Sequence, residues 1–308
     1  MEYIRGLESF SFPGRTAVTL GKFDGLHRGH QKLIWQICRM KKERHTASVV
    51  FAFDMQPFFE KTGKTGAGIM TNKERRSRLD GKVDFLLECP FSDDILSMEA
   101  EDFLQNVLHD LLHAACVVVG PDFHFGYGKR GDVQMLRDWA EKLDYELLVV
   151  PKEVYGDREI SSSYIREELR KGNMKKVSAM LGYPYTVEGT VEHGAQLGRK
   201  YGFPTVNIQP APEKLLPPNG VYMAGVKLDG IWYNGIGNIG YKPTVSSEHR
   251  MLIECHLLDY QGNAYGKDVQ IQLYEFRRPE MKFASMDEWK AQIDSDIAWG
   301  EKYFQYRT

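Results

Sequence analysis

Cysteine is scarce in this 308-residue chain: Cys38, Cys89, Cys116 and Cys255 lie far apart with no CxxC pair. That spacing excludes the usual zinc sites and a dithiol redox motif, and leaves four thiols of the kind normally buried in a core. An excess of one charge is missing too. Lys and Arg number 40 against 42 Asp and Glu, a formal net charge of −2, so no global field points to nucleic acid, although a local basic site stays compatible. No apolar run approaches the roughly 18 residues of a membrane-spanning helix, and the mean hydropathy is −0.43. Glu2, Arg5 and Glu8 stand where an export signal needs a basic start and then an apolar stretch, which predicts a cytoplasmic protein. Repeats, low-complexity tracts and charge blocks are absent as well.

What is present is a change of pattern part-way along. At about 150 residues per domain the length predicts two domains. In the first, short β-branched runs at Thr16–Leu20, Ser48–Phe53, Val83–Glu88, Cys116–Gly120 and Glu146–Val150 alternate with helical stretches, the order of a parallel, doubly wound α/β sheet. Leu33, Ile34, Ile37 and Cys38 recur at helical spacing and are followed by Lys41, Lys42 and Arg44, which suit a helix C-terminus. Further helices are expected at Ala100–His113 and Val133–Leu143, and a helical pair over Ser163–Leu181 is expected to complete the first domain. Any ligand belongs at the carboxyl ends of such strands.

After Gly182, closely spaced strands at Tyr185–Glu192, Val221–Leu228, Trp232–Asn238, Met251–Tyr260 and Val269–Phe276 predict an antiparallel barrel or sandwich. A mixed sheet is the alternative, and the spacing favours closure, which removes exposed edges. A last helix from Met286, with Trp289, Ile293 and Ile297 on one face, is expected to pack on it. The expected domains are residues 1–182 and 184–308.

Between the first strand and first helix runs Gly21-Lys22-Phe23-Asp24-Gly25-Leu26-His27-Arg28-Gly29-His30. Unpaired N–H groups at a helix start favour phosphate, the glycines allow a tight turn, and His27 and His30 can donate hydrogen bonds to phosphoryl oxygens. In the second half, Gly189 to Asn207 is glycine-dense but lacks the GxxxxGK[ST] spacing of a P-loop. In its extended end, Thr205 and Asn207 point the same way, so a hydroxyl and an amide oxygen can both address one Mg²⁺.

The turn resembles the HxGH signature of nucleotidyltransferases, and its GxFDGxHxGH form resembles the bacterial bifunctional riboflavin kinase/FMN adenylyltransferase (FAD synthetase) family. Gly-Pro-Asp-Phe-His-Phe-Gly at 120–126 is similar to that family's GxDFxFG loop, and Ile160 to Arg166 to its ISSTxIR. Residues 189–207 resemble GxVxxGxxxGRxxGFPTxN, with Val206 for the usual alanine. Asn219–Tyr222, Gly235–Thr244, Ile253–Tyr260 and Arg277–Phe283 extend the match across most of the second half.

The resemblance implies an N-terminal HxGH nucleotidyltransferase domain that adenylylates FMN to FAD, followed by a β-barrel riboflavin kinase domain with a terminal helix. ATP and Mg²⁺ serve both steps. It implies catalytic roles for His27 and His30, and ATP or phosphate binding by Gly21, Phe23, Asp24, Gly29, Ser161, Ser162, Ser163 and Arg166. In the kinase half it implies nucleotide binding by Gly189, Gly194, Gly198, Arg199, Thr205 and Asn207, the last two also ligating the metal. Glu254 is implied as the base for the riboflavin 5′-hydroxyl, and Asp122, Phe123, Arg278 and Glu280 as flavin neighbours. Alternation alone leaves Glu254 facing either a pocket or water, Ser161 can be a plain N-cap, and Asp24 and Asp122 can be turn caps.

One departure is Phe53-Asp54-Met55-Gln56-Pro57, where the family's FDPHP has histidine; Gln56 keeps hydrogen bonding but cannot titrate. A kinase with a weakened adenylyltransferase half, or a flavin-binding regulator without turnover, is therefore the alternative. The expected partners are riboflavin, FMN and ATP, without nucleic acid or membrane, on a monomer or weak homo-oligomer.

Overall fold

The structure, a computed structural model, describes residues 1–308 other than 9, 11, 13, 64–65, 194–204, 244–248 and 307–308. Two compact units divide between Ser162 and Ser163.

The first unit is built on strands β1 (Glu2–Arg5), β2 (Thr16–Gly21), β3 (Ala47–Asp54), β4 (Phe85–Pro90), β5 (Ala114–Val119) and β6 (Glu146–Val149). Their order is β1-β4-β3-β2-β5-β6 and every neighbouring pair is parallel. The chain leaves β2 towards β3 on one side, while β5 lies on the other, so the loops after β2 and β5 border the point where strand order reverses. The central strands are buried along almost their whole length, as their continuous apolar runs require in a sheet covered on both faces. Strand β1 was not foreseen, because only Ile4 of its four residues is buried; it is an edge strand held by its backbone ladder to β4.

Helix α1 (Arg28–Arg44) buries Leu33, Ile34, Ile37 and Met40, with Cys38 only half-buried beside that stripe. Helices α2 (Gln56–Thr62), α3 (Asn72–Leu79) and α4 (Asp93–Ser97) carry little apolar patterning and were not anticipated. Charged α3 starts through a reciprocal capping box, with Thr71 and Glu74 each bonding the other's backbone N–H. The helix expected over Ala100–His113 begins as α5 (Ala100–Asp102) and widens to a π-helix over Phe103–Leu111, burying Phe103, Leu104, Val107 and Leu108. Helix α6 (Val133–Ala140) and a short hairpin of β7 (Val154–Tyr155) and β8 (Arg158–Glu159) follow.

Helices α7 (Ser162–Arg170) and α8 (Met174–Leu181) form the helical pair. Strands β9 (Tyr185–Glu192), β10 (Thr205–Ile208), β11 (Gly220–Leu228), β12 (Ile231–Pro243), β13 (His249–Leu257) and β14 (Asp268–Arg278) close a barrel in the order β10-β13-β12-β11-β14-β9. All its pairings are antiparallel. The short β10, which bonds both β9 and β13, closes the ring and settles the choice among barrel, sandwich and mixed sheet in favour of the barrel. Helix α8 touches β14 and β9, and all of the helical pair but Ser162 belongs to the second compact unit, while the composition changes only after the pair.

The last helix, Met286–Gln305, is capped by Ser285 and lies against β12, with Trp289, Ile293 and Ile297 half-buried. Gly300 permits the approach, since a Cβ there would stand 3.0 Å from Ile236 Cδ1.

Candidate active sites

The turn after β2 is tightly constrained. Phe23 and Leu26 sit in the left-handed region at φ 47° and 39°, and both side chains are buried, which compensates backbone strain. Gly25 has φ 87°, and a Cβ there would meet Ile69 at 3.0 Å. Asp24 Oδ1 accepts from the Met70 N–H at 3.2 Å, and the Ser162 hydroxyl donates to the Asp24 carbonyl at 2.9 Å. Asp24 therefore holds the turn in shape, and Ser162 is attached to it.

His27 is the N-cap of α1, and its Nδ1 accepts from the His30 N–H at 3.4 Å, which leaves the ring proton on Nε2. The two imidazoles stack with centroids 3.7 Å apart and planes 20° from parallel. Gly29 makes this possible: a Cβ there would lie 3.1 Å from His27 Cε1 and 3.2 Å from its Nδ1. Burial pushes the His27 pKa down to about 4. Burial, with the charges of His27 and Arg75 adding to it, holds His30 well below its ordinary value. Both rings are consequently neutral at pH 7. His30 Nδ1 is buried with no hydrogen-bond partner.

The loop after β5 places Asp122 in an ion pair with Lys152 at 3.0 Å, and Phe123 stacks on Phe125 with centroids 5.8 Å apart. Ser163 on α7 is exposed and Arg166 half-buried. Gln56 opens α2; its N–H donates to Asp54 Oδ1 at 3.1 Å and its side chain to Glu60 at 3.2 Å.

Sequence reasoning missed Arg75 and Glu88. They form a buried ion pair, 5% and 2% exposed, in which Arg75 Nε and Nη2 both donate to Glu88 Oε1, at 3.1 and 2.5 Å. Arg75 Nη1 donates to the Lys22 carbonyl of the turn at 3.2 Å. The glutamate within the apolar run Phe85–Pro90 was the available signal, since a carboxylate there requires a partner.

On the barrel, register gathers the second constellation. Asn207 of β10 stands opposite Glu254 of β13, which stands opposite Asn238 of β12, so the three side chains share one face. Ile253, Cys255 and Leu257 fill the interior, leaving Glu254 on the outer face with Asn207 and Asn238. Asn207 is 5% exposed; its Nδ2 reaches the Thr205 carbonyl and Oγ1 at 3.4 and 3.5 Å, while its Oδ1 is buried without a partner. A cavity of about 540 Å³ opens beside Thr205 and Asn207, lined also by Tyr260, Gln261, Asn263 and Tyr265.

Glu280 joins this row, accepting from Asn238 Nδ2 at 3.5 Å and from Asn219 Nδ2 at 3.4 Å. It does so because Gly240 has no side chain: a Cβ there would stand 2.0 Å from Glu280 Oε1. Arg278 turns elsewhere, its Nη2 donating at 2.7 Å and its Nε at 3.0 Å to Oδ2 of the buried Asp296 on the last helix. Gly189 lies in β9 with no room for a Cβ, 3.0 Å from Ile208, whereas Gly194, Gly198 and Arg199 lie outside the described residues.

A family profile described as FAD synthetase matches residues 10–164, and one described as riboflavin kinase matches residues 181–304. These matches define an ATP-using transferase that combines a nucleotidyl-transfer unit with a kinase unit. Proteins named bifunctional riboflavin kinase/FMN adenylyltransferase are similar over nearly the whole chain. The one from Buchnera aphidicola (Acyrthosiphon pisum) is 34% identical over 99% of this chain and 98% of its own length. The one from Escherichia coli K12 is 33% identical over 99% and 98%. A crystal structure described as a macrolide-efflux protein from Streptococcus pneumoniae is 27% identical, with a TM-score of 0.86 over 97% of this chain and 98% of that one. The chain belongs to the bifunctional riboflavin kinase/FMN adenylyltransferase family. It phosphorylates riboflavin to FMN and adenylylates FMN to FAD, using ATP as the donor in both steps. Among the described residues, no helix is long and apolar enough to cross a membrane.

Proposed function

We propose that the two reactions use the two constellations separately: His27 and His30 serve FMN adenylylation, and Glu254 with Thr205 and Asn207 serves riboflavin phosphorylation. The observation that carries this reading is Asn207, whose buried Oδ1 is unpartnered and stands in register with Glu254. A hard oxygen donor left open beside a carboxylate and a nucleotide-sized cavity suits a Mg²⁺–nucleotide. Thr205 and Asn207 would hold the Mg²⁺, which when bound neutralises charge on the phosphates.

In phosphorylation, Glu254 takes the proton of the riboflavin 5′-hydroxyl as its oxygen bonds to the γ-phosphorus and ADP leaves. Asn238 and Glu280 border the flavin, and Arg278 fixes their segment through Asp296. In adenylylation, an FMN phosphate oxygen attacks the α-phosphorus of ATP and pyrophosphate leaves; no covalent protein intermediate is needed. Neutral His27 and His30 donate to the phosphoryl oxygens. Gly21, Phe23 and Gly29 shape the turn, and Asp24 with Ser162 holds it. Ser161 binds the triphosphate, and Asp122 and Phe123 border the FMN.

Incubation with riboflavin, ATP and Mg²⁺, and separately with FMN, ATP and Mg²⁺, followed by chromatography, tests this. FAD from both is expected. A second reading, a weakened adenylyltransferase half, has Gln56 in its favour, because its amide is engaged with Glu60. FMN accumulating without FAD, corrected by Gln56→His, is its signature.

A further inference from the structure

A buried charged pair, Arg75 and Glu88, lies beneath the turn among the described residues of the first unit. Four elements meet there. Tyr3 of β1 donates its hydroxyl to Glu88 Oε2 at 2.8 Å, Glu88 of β4 accepts twice from Arg75 of α3, and Arg75 reaches the Lys22 carbonyl. Asn72 Oδ1 accepts from Arg75 Nη2 at 2.8 Å, so the guanidinium is fixed in plane on both sides. The capping box at Thr71 and Glu74 sets the start of the helix that carries it.

Lys22 immediately precedes Phe23, the first left-handed residue of the turn, and the Phe23 ring lies 5.1 Å from the His30 ring. A non-glycine residue persists at positive φ only when its surroundings over-determine it. Here the Phe23 side chain is buried on one side, and the carbonyl before it is held by a charged donor on the other. A neutral donor could complete the hydrogen bond, but only a fork of five N–H groups can bond a carboxylate, an amide and a carbonyl together.

We propose that Arg75 is a positioning residue for adenylylation: clamped by Glu88, it fixes the Lys22 carbonyl and thereby the left-handed Phe23 against which His30 stands. The proposal rests on the reading of His27 and His30 as the adenylylation site. Removing Arg75 alone leaves Glu88 buried and unpaired, which can unfold the unit. The informative variant is therefore Arg75→Leu with Glu88→Leu, which replaces the pair with apolar groups and takes the guanidinium away from the Lys22 carbonyl.

The full chain carries its own control, because riboflavin phosphorylation reports on the other unit. The double variant is expected to melt with the parent, phosphorylate riboflavin at the parental rate, and lose roughly hundredfold in the kcat of FMN adenylylation with little change in KM for ATP. Arg75→Lys, which keeps the charge and can still reach one partner, is expected to fall between. A folded double variant with parental adenylylation overturns the proposal. So does a loss confined to KM, or a Lys variant no better than the double one. His30→Ala is run beside them: if it adenylylates normally, the site reading fails, and the double variant's kcat still decides whether Arg75 matters to the reaction.

Discussion

The two sites handle phosphate with different materials. In the first unit the ligand-facing geometry is backbone: a strand ends, two buried non-glycine residues turn left-handed, and a helix begins with a histidine as its own cap. In the barrel it is register: Asn207, Glu254 and Asn238 stand side by side on three neighbouring strands paired without a register shift. A turn of the first kind is precise only while its surroundings hold it, so its sensitivity is expected to extend to residues such as Gly29 and Arg75 that shape or brace it. A row of the second kind is held by the ladder, and its sensitivity is concentrated in the side chains themselves.

The sharpest way to break that contrast is reciprocal. Glu254→Gln is expected to lower FMN formation by about 10²–10⁴-fold while leaving FMN adenylylation intact, and His27→Ala to do the reverse, both read from initial rates with each flavin. Loss of both activities in either folded variant would sink the assignment of separate sites.

Acid should separate the units next. Unfolded, His27 takes a proton near pH 6.5; folded, it resists protonation down to about 4. Between those values the unfolded chain binds more protons, so stability is complete above about pH 6.5 and falls as pH drops towards 4, by about 3 kcal/mol for this group. Urea melts of the first unit's transition at pH 7 and 4.5 should show the loss, and His27→Gln should remove much of it. Equal acid sensitivity in parent and variant would contradict the buried neutral imidazole.

Gly29→Ala is subtler. Alanine is the better helix former by about 1 kcal/mol, yet its Cβ would press on the His27 ring. Adenylylation is expected to drop about tenfold with no loss of Tm and no change in riboflavin phosphorylation. A drop in both Tm and rate would mean that the glycine serves folding rather than the imidazole stack.

Much of this was legible in the linear chain. Five strands of the parallel sheet announced themselves as short apolar runs, although β6, read as buried, lies at the sheet edge and is only half-buried, and the HxGH turn could be recognised because its chemistry lies within ten consecutive residues. Strand β1 and the short hairpin of β7 and β8 escaped notice, and β10 was legible only as an extended end; β1 and β10 have four residues each and owe their place to ladder partners elsewhere in the chain. Helix α3 escaped because its stripe is charged and its stability comes from the cap and from Arg75 buried beneath it. The resemblance of Arg277–Phe283 implies that Arg278 and Glu280 are flavin neighbours, and nothing local shows that their side chains take different partners, Asp296 for Arg278 and Asn238 for Glu280.

By itself the sequence determined what depends on neighbours: strand and helix periodicity, a glycine-bearing turn at a helix start, and oxygen donors at i and i+2. Only the tertiary structure decided which distant groups face one another and how dry they are. Asn207 meets Glu254 across a ladder that joins residues 47 positions apart, Arg75 meets Glu88 and a carbonyl from another loop, and His27 and His30 are neutral because they are buried. Register and desolvation are properties of packed pairs, so no single stretch of chain contains them.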